Sequence, residues 1–469
     1  MVRLRNRACG PMLQRVFSLT LVVLLCLLAA RAVRAGTPAA PPAPPADTRF
    51  RVDSWLWETK ELVPQVGLPS VRATYSSPFD WAPNSGILLF AEYSEAGGRL
   101  AAVSLRTLRK YTIADTPARI TSVRWSPDGR AIAYHTSGES EEQQKLAVLA
   151  LSSAHNTLVA EGVALLWRVE WSPDSRRLAA SISGPRGRGL AVWQMADGSA
   201  RQLCWVPGAS LAWHDPVWSP DCERIAARDP AGHIVVLDVT SGKTAVEPAA
   251  GTKAISASPN LNYLLALADG QAVVVEVRTG RQIPVVLEGV PAMPQEPYID
   301  TGPVWFGDSS AFAVSQDRRL WVVDPATGQG RPIGPRQVSE YPRLERSGPS
   351  GMIAYHQGTE DAALNGLCLL TSATSEPRIL LRTAGHGWQW SPGGKWGTYR
   401  IRSPVDPRDA SSGQYTWDLL LRVGVGRLYH LTHEGWTARP RDRRLFWSPN
   451  GSQALVWFDD GPRLLTLPE

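Results

Sequence analysis

Trp125-Ser126-Pro127-Asp128-Gly129, continued by RAIAYHTS to Ser137, is the stretch on which the fold turns. Proline presets φ at the second turn position, aspartate bonds to local backbone, and glycine accepts positive φ, so Ser-Pro-Asp-Gly makes a tight turn. A short apolar strand ending in tryptophan precedes it (SVRW), and a second strand rich in β-formers follows. Downstream lies a third strand, KLAVLAL at 145–151, with counterparts GLAVWQM at 189–195, HIVVLDV at 233–239, AVVVEV at 272–277 and RLWVVD at 319–324. Turns such as Asp197-Gly198, Ser241-Gly242 and Thr279-Gly280 then lead to a more polar fourth strand.

The unit recurs at Trp171 (WSPDSRRLAAS), Trp218 (WSPDCERIAAR), Trp390 (WSPGGKWGTYR) and Trp447 (WSPNGSQALVW). Weaker copies begin at Trp81, Ala257 and Trp305, and the faintest at Arg346 (RSGPSGMIAYH). Successive starts lie 44, 46, 47, 39, 48, 41, 44 and 57 residues apart, close to the length of a four-stranded propeller blade. No body segment keeps a helical period over 12 residues, and 40 glycines with 38 prolines favour turns. The expected fold is all-β: a single β-propeller of four-stranded blades, eight or nine in number, over residues 51–469. The last unit stops after its third strand, so the N-terminal segment Trp55–Val66 is expected to supply the missing outer strand and remove an open edge.

The Trp-Ser-Pro-Asp-Gly turn with its trailing apolar strand resembles the TolB-type, WD-repeat-like propeller repeat over roughly residues 70–469. The resemblance is specific for fold and unspecific for function. Similar blades occur in periplasmic TolB proteins, in the propellers of prolyl-oligopeptidase-like enzymes and in some lyases. TolB carries an extra α/β domain ahead of its propeller, whereas about 35 residues separate leader and first blade here. The first turn, Ala82-Pro83-Asn84, also departs from the pattern.

Residues 1–35 read as a signal peptide or, alternatively, an N-terminal anchor. Arg3, Arg5, Arg7 and Arg15 precede an apolar run from Val16 to Ala30, and Val33-Arg34-Ala35 fits a cleavage site before Gly36. The run is short of the ~20 residues that span a bilayer. Residues 36–50 are a Pro/Ala-rich linker. An extracytoplasmic location follows: periplasmic, secreted or anchored. The leader holds six arginines and no acid, which leaves 43 basic and 43 acidic side chains in the remainder. The basic pI therefore belongs to the leader, and nucleic acid is not an expected partner. Past the leader the cysteines are Cys204, Cys222 and Cys368; either one bridge between Cys204 and Cys222 or buried thiols fits the compartment.

Seven unit starts carry tryptophan: Trp81, Trp125, Trp171, Trp218, Trp305, Trp390 and Trp447. Recurrence at one motif position assigns them to packing between blades, where each aromatic buries about 150–250 Å². Off-motif tryptophans (Trp167, Trp205, Trp213, Trp388, Trp417, Trp436) are the better candidates for a ligand platform, although core packing is the simpler role.

In a propeller the inner-strand starts share one face with the second-to-third-strand loops, opposite the Ser-Pro-Asp-Gly turns. Those loops are uneven here. Ser137–Lys145 is acidic, Gly184–Gly189 basic through Arg186 and Arg188, Gln357–Gly366 acidic, and Ser403–Thr416 the longest. Residues three or four before a unit start should line the channel mouth. Arg168, His214, Asp215, Arg343, His386 and Arg443 are the candidate binding residues there, with Asp300 just beyond. No G-x-S-x-G elbow, H-E-x-x-H, phosphate loop or EF-hand loop occurs. His430 and His433 fall on opposite faces of a strand, so no metal site is assigned, and no cofactor or catalytic residue is expected. The expected function is a monomeric, non-catalytic binding scaffold for an envelope or secreted protein, a peptide or a glycan. The alternative is a propeller enzyme acting on a polysaccharide or small ester through channel-mouth His and Arg residues.

Overall fold

The computed structural model describes residues 65–68, 78–94, 97–140, 143–196, 198–212, 217–246, 252–290, 302–337, 344, 351–359, 365–382, 385–402, 416–423, 427–430, 442–458 and 461–467. Among them there is no α-helix, and so no helix long and apolar enough to cross a membrane. The strands form nine sheets, arranged as a β-propeller. The chain divides into two compact units, one centred on Arg72–Pro207 and one on Gly208–Glu469, the latter including Pro38–Val71.

The first unit holds three blades. Blade 1 runs Phe79–Trp81, Ile87–Ser94, Gly97–Ser104 and Lys110–Thr116. Blade 2 runs Arg119–Trp125, Ala131–Ser137, Lys145–Ala150 and His155–Glu161, and blade 3 runs Ala164–Trp171, Arg177–Gly184, Gly187–Ala196 and Ser199–Pro207. All are antiparallel meanders in chain order. Their middle strands are buried on both sides, which explains why the sequence reads as unbroken apolar runs and not as alternation. Ile132 and Tyr134 of blade 2 pack on Ile87 and Leu89 of blade 1, while Ala133, between them, packs with Val169 and Trp171 of blade 3.

The second unit holds six. Blade 4 has Ser210–Leu211, Arg224–Arg228 and Ile234–Asp238, completed by single bridges from Trp218 to Ile225 and Thr244 to Leu237. Blade 5 runs Lys253–Ala257, Tyr263–Ala268, Gln271–Glu276 and Gln282–Pro284. Blade 6 runs Val304–Trp305, Phe312–Gln316, Arg319–Val323 and Gln329–Ile333, and gains a fifth strand, Val286–Leu287, parallel to its outer edge. Blade 7 has Ile353–Gln357, Gly366–Leu370 and Arg378–Leu381, with Leu344 bridging Tyr355 on the inner side. Blade 8 runs Gly385–Trp390, Trp396–Arg402, Thr416–Arg422 and Arg427–His430. Blade 9 has Asp442–Trp447, Gln453–Phe458 and Gly461–Thr466, and its fourth strand is Gln65–Gly67 from the start of the chain. The blade count is therefore nine, because the faint unit at Arg346 forms a sheet of its own.

The turns share one hydrogen-bond pattern. Ser126 Oγ donates to Asp128 Oδ1 at 2.6 Å and accepts from Ala131 N at 2.9 Å, and Gly129 N donates to Ser126 O at 2.9 Å. The same serine-to-side-chain bond closes the turns at Ser172–Asp174, Ser219–Asp221, Ser258–Asn260 and Ser448–Asn450. The residue four beyond each start has positive φ in eight units: Ser85, Gly129, Ser175, Cys222, Leu261, Ser309, Gly394 and Gly451. Five of those are not glycine.

Candidate functional site

The inner strands of the first unit carry their polar groups one residue before the motif tryptophan. Asp80, Arg124 and Glu170 occupy that position in blades 1, 2 and 3 and form one row. Arg124 Nη1 lies 3.4 Å from Asp80 Oδ1, and its Nη2 lies 3.9 Å from Glu170 Oε1. Asp80 Oδ2 also accepts the Trp125 backbone N–H at 2.7 Å. These side chains keep 19%, 34% and 23% of their surface, so the row is fixed yet open to water. Burial raises the Asp80 carboxyl above the usual carboxylate range, outweighing the pull of Arg124 and of the backbone N–H groups.

In the first unit the motif tryptophans Trp81, Trp125 and Trp171 directly follow the residues of this row. Trp81, Trp125, Trp171, Trp218, Trp305 and Trp390 are buried. Trp171 Nε1 donates to Arg124 O of the preceding blade at 3.3 Å, and Trp305 Nε1 to Ser256 Oγ at 3.0 Å. The buried indole N–H groups of Trp125, Trp218 and Trp447 meet no acceptor among the described residues, so apolar area is the constant element of the motif. Of the off-motif set, Trp388 is core: it packs edge-on to Trp390 at 5.0 Å and covers Gly397, where a Cβ would lie 2.0 Å from its ring.

Upstream of the motif position the inner strands of blades 2, 3, 5, 8 and 9 bulge. Pairing skips between Ile120 and Ser122, Leu165 and Val169, Ala254 and Ser256, His386 and Gln389, and Asp442 and Phe446. Bulges at a rim re-aim side chains. Arg168 and Arg443 sit inside two of them and His386 borders a third; their backbones are placed, while their side chains lie outside the described residues. His214, Asp215, Asp300 and Arg343 lie outside the described residues altogether, as do 403–415 of the longest loop. The blade 2 bulge is pinned from behind. His135 is buried, with Nδ1 2.6 Å from Thr121 Oγ1 and Nε2 2.8 Å from Val163 O. A carbonyl partner requires Nε2 to carry the proton, so Nδ1 accepts from the threonine. Burial lowers the imidazole below its ordinary value, against the opposing effect of the Val163 carbonyl.

Cys204, Cys222 and Cys368 are buried thiols. Burial pushes the Cys368 thiol up to about 12, far from the thiolate needed for nucleophilic chemistry. No group of three or more metal-ligating side chains occurs among the described residues. On the turn face of blades 4 and 5 a groove of about 520 Å³ is lined by Asp221, Arg224, Asn262, Tyr263, Glu276 and Arg278. Arg224 is held there by Leu261 O and Asn262 Oδ1, both at 2.9 Å. Sequence reading passed over the Asp80-Arg124-Glu170 row. The signal was present as charge of alternating sign at one motif position.

Blades, inner-strand row and bulged rim define a β-propeller. The chain is similar in fold to the C-terminal WD40 domain of Sif2, at 13% identity over 88% of this chain and 100% of that one, with a TM-score of 0.43. It is similar to TolB from Acinetobacter baumannii at 14% identity, over 53% of this chain and 65% of that one, TM-score 0.28. An oligogalacturonate lyase in complex with manganese aligns at 13% identity over 88% and 97% of the two chains, TM-score 0.40. No protein-family model and no curated protein sequence matches the chain.

Proposed function

We propose that this chain is an exported binding propeller that captures a protein, peptide or glycan of the cell envelope or exterior and performs no chemistry of its own. One observation carries the reading: the Asp80-Arg124-Glu170 row is polar, partly water-accessible and held in place by neighbouring blades before any ligand arrives. Such preorganisation lowers the ordering cost of binding. In the first unit Arg168, in the bulge of the blade 3 inner strand, adds a basic residue upstream of Glu170, and the repeat spacing makes His214, Asp215, Asp300, Arg343, His386 and Arg443 further candidates. The arginine-rich leader supports export. The TolB-type reading of the repeat rests on the Trp-Ser-Pro-Asp-Gly turns.

The test is capture from a native envelope fraction by the chain from Gly36 onward, identified by mass spectrometry. Replacing Arg168, His214 and Arg343 together should reduce capture of the specific partner with thermal unfolding nearly unchanged. Undiminished capture would remove the channel mouth from the account.

A further inference from the structure

Propeller blades end in an outer strand whose far edge has no partner in its own sheet, and natural proteins keep such edges short or covered. Outer strands here range widely: Lys110–Thr116 and His155–Glu161 have 7 residues each and end their sheets, while the others are shorter or covered, blade 3 apart. Gln282–Pro284, Arg378–Leu381, Arg427–His430 and Gln65–Gly67 have 3, 4, 4 and 3 residues. The edge of Gln329–Ile333 is covered by Val286–Leu287. Blade 3 is the extreme: Ser199–Pro207 has 9 residues, more than any other outer strand described, pairs with Gly187–Ala196 with one skip at Leu203, and closes its sheet with no further strand beside it among the described residues.

The charge around that edge is equally one-sided. Between Ser175 and Pro207 the chain has five arginines (Arg176, Arg177, Arg186, Arg188, Arg201) and a single acid, Asp197, within a body whose charges balance as a whole. Arg186, Arg188 and Arg201 are exposed. Arg186 is held over the half-buried Trp205 ring at 4.8 Å and donates from Nη2 to Gln202 Oε1 at 2.7 Å. Trp205 in turn lies across Gly189, where a Cβ would meet the ring at 2.6 Å, so the indole and its arginine form a fixed ledge along the strand.

We propose that the outer edge of blade 3 is a strand-addition site for an extended, acidic segment of a partner protein. The segment pairs with Ser199–Pro207 through main-chain hydrogen bonds, and its carboxylates meet Arg186, Arg188 and Arg201. Backbone pairing supplies affinity and the alternate side chains supply specificity. This site lies on the outside of the blade, away from the inner-strand row, and stands independently of the channel reading.

The probe is a fluorescein-labelled eight-residue peptide alternating glutamate and valine, titrated with the full chain and read by anisotropy and by tryptophan emission. Saturable binding is expected. Arg186→Glu with Arg201→Glu should weaken it by about tenfold or more, with the circular dichroism spectrum and melting unchanged. The same peptide N-methylated at alternate residues should fail to bind, because it cannot complete the ladder. A lysine-valine peptide should not bind either. Equal binding of the N-methylated peptide would reduce the contact to charge alone and overturn the proposal, and so would binding that survives the double charge reversal.

Discussion

Two side chains in the first unit show how single positions hold the blades in register. His135 is neutral in the fold and its imidazole is pressed below its ordinary value by burial. The unfolded chain therefore takes up a proton first as pH falls, and the stability this residue contributes is complete above about pH 6.5 and declines below it. The stability advantage of the wild type over His135→Gln, measured from urea midpoints, should shrink between pH 7.5 and 5.5; a constant gap would exclude the histidine as the titrating group. Ser175 makes a different contribution. It has a φ of 61° where the turn pattern favours glycine, and its Oγ accepts the Asp128 N–H of the neighbouring blade at 3.0 Å. Ser309 does the same for Asn260 N at 3.0 Å. The hydroxyl compensates for backbone strain. Ser175→Ala keeps the strain and loses the acceptor, so it should cost about 1–2 kcal/mol in chemical denaturation, whereas Ser175→Gly relieves the strain and should cost less.

At the scale of strands and turns, arginines tie blade 4 to blade 5, 5 to 6 and 6 to 7 in the second unit. Arg224 caps Leu261 O, and Arg281 Nη2 reaches Ala326 O at 3.1 Å. Arg331 reaches Ala373 O through Nε at 3.1 Å and Nη2 at 2.6 Å, and Ser375 O at 3.1 Å. Arg331→Ala should lower stability by about 1–3 kcal/mol, and Arg331→Lys should recover little, since an ammonium cannot reproduce the fork. An unchanged melting temperature would mean that water replaces the clamp without loss. Hydrophobic runs bounded by turn residues made the strands readable: the third strand expected at 145–151 is Lys145–Ala150, and that at 233–239 is Ile234–Asp238. The clamps were not readable, because an arginine facing a carbonyl in another blade leaves no local pattern. Nor were the bulges. Side-chain direction alternates only while pairing is regular, and a skip of one to three residues at Ile120, Leu165 or Asp442 resets it. That is why counting three or four residues back from the tryptophan passed over the Asp80-Arg124-Glu170 row, which sits one residue before it.

For the molecule as a whole, the tryptophan period carried the fold, and only the number of blades stayed open between eight and nine. The unit at Arg346 lacks both tryptophan and turn aspartate, and it is recognised as a blade by the pairing of Leu344 with Tyr355 and by its own sheet. The closing strand was expected over Trp55–Val66. Among the described residues it is Gln65–Gly67, and Leu68, buried behind it, donates its N–H to Pro462 O at 3.1 Å. The account stands on this meeting of chain start and chain end in one blade. Gly67 and Arg463 are paired across it, and a Cβ at Gly67 meets nothing within 4 Å. Gly67→Cys combined with Arg463→Cys tests it most directly. Mild oxidation should give one intramolecular disulfide, seen as faster migration on non-reducing gels, and should raise stability by about 2–4 kcal/mol. Failure to form that internal bridge, or formation only of linked dimers, would contradict the closure of the last blade by the first strand.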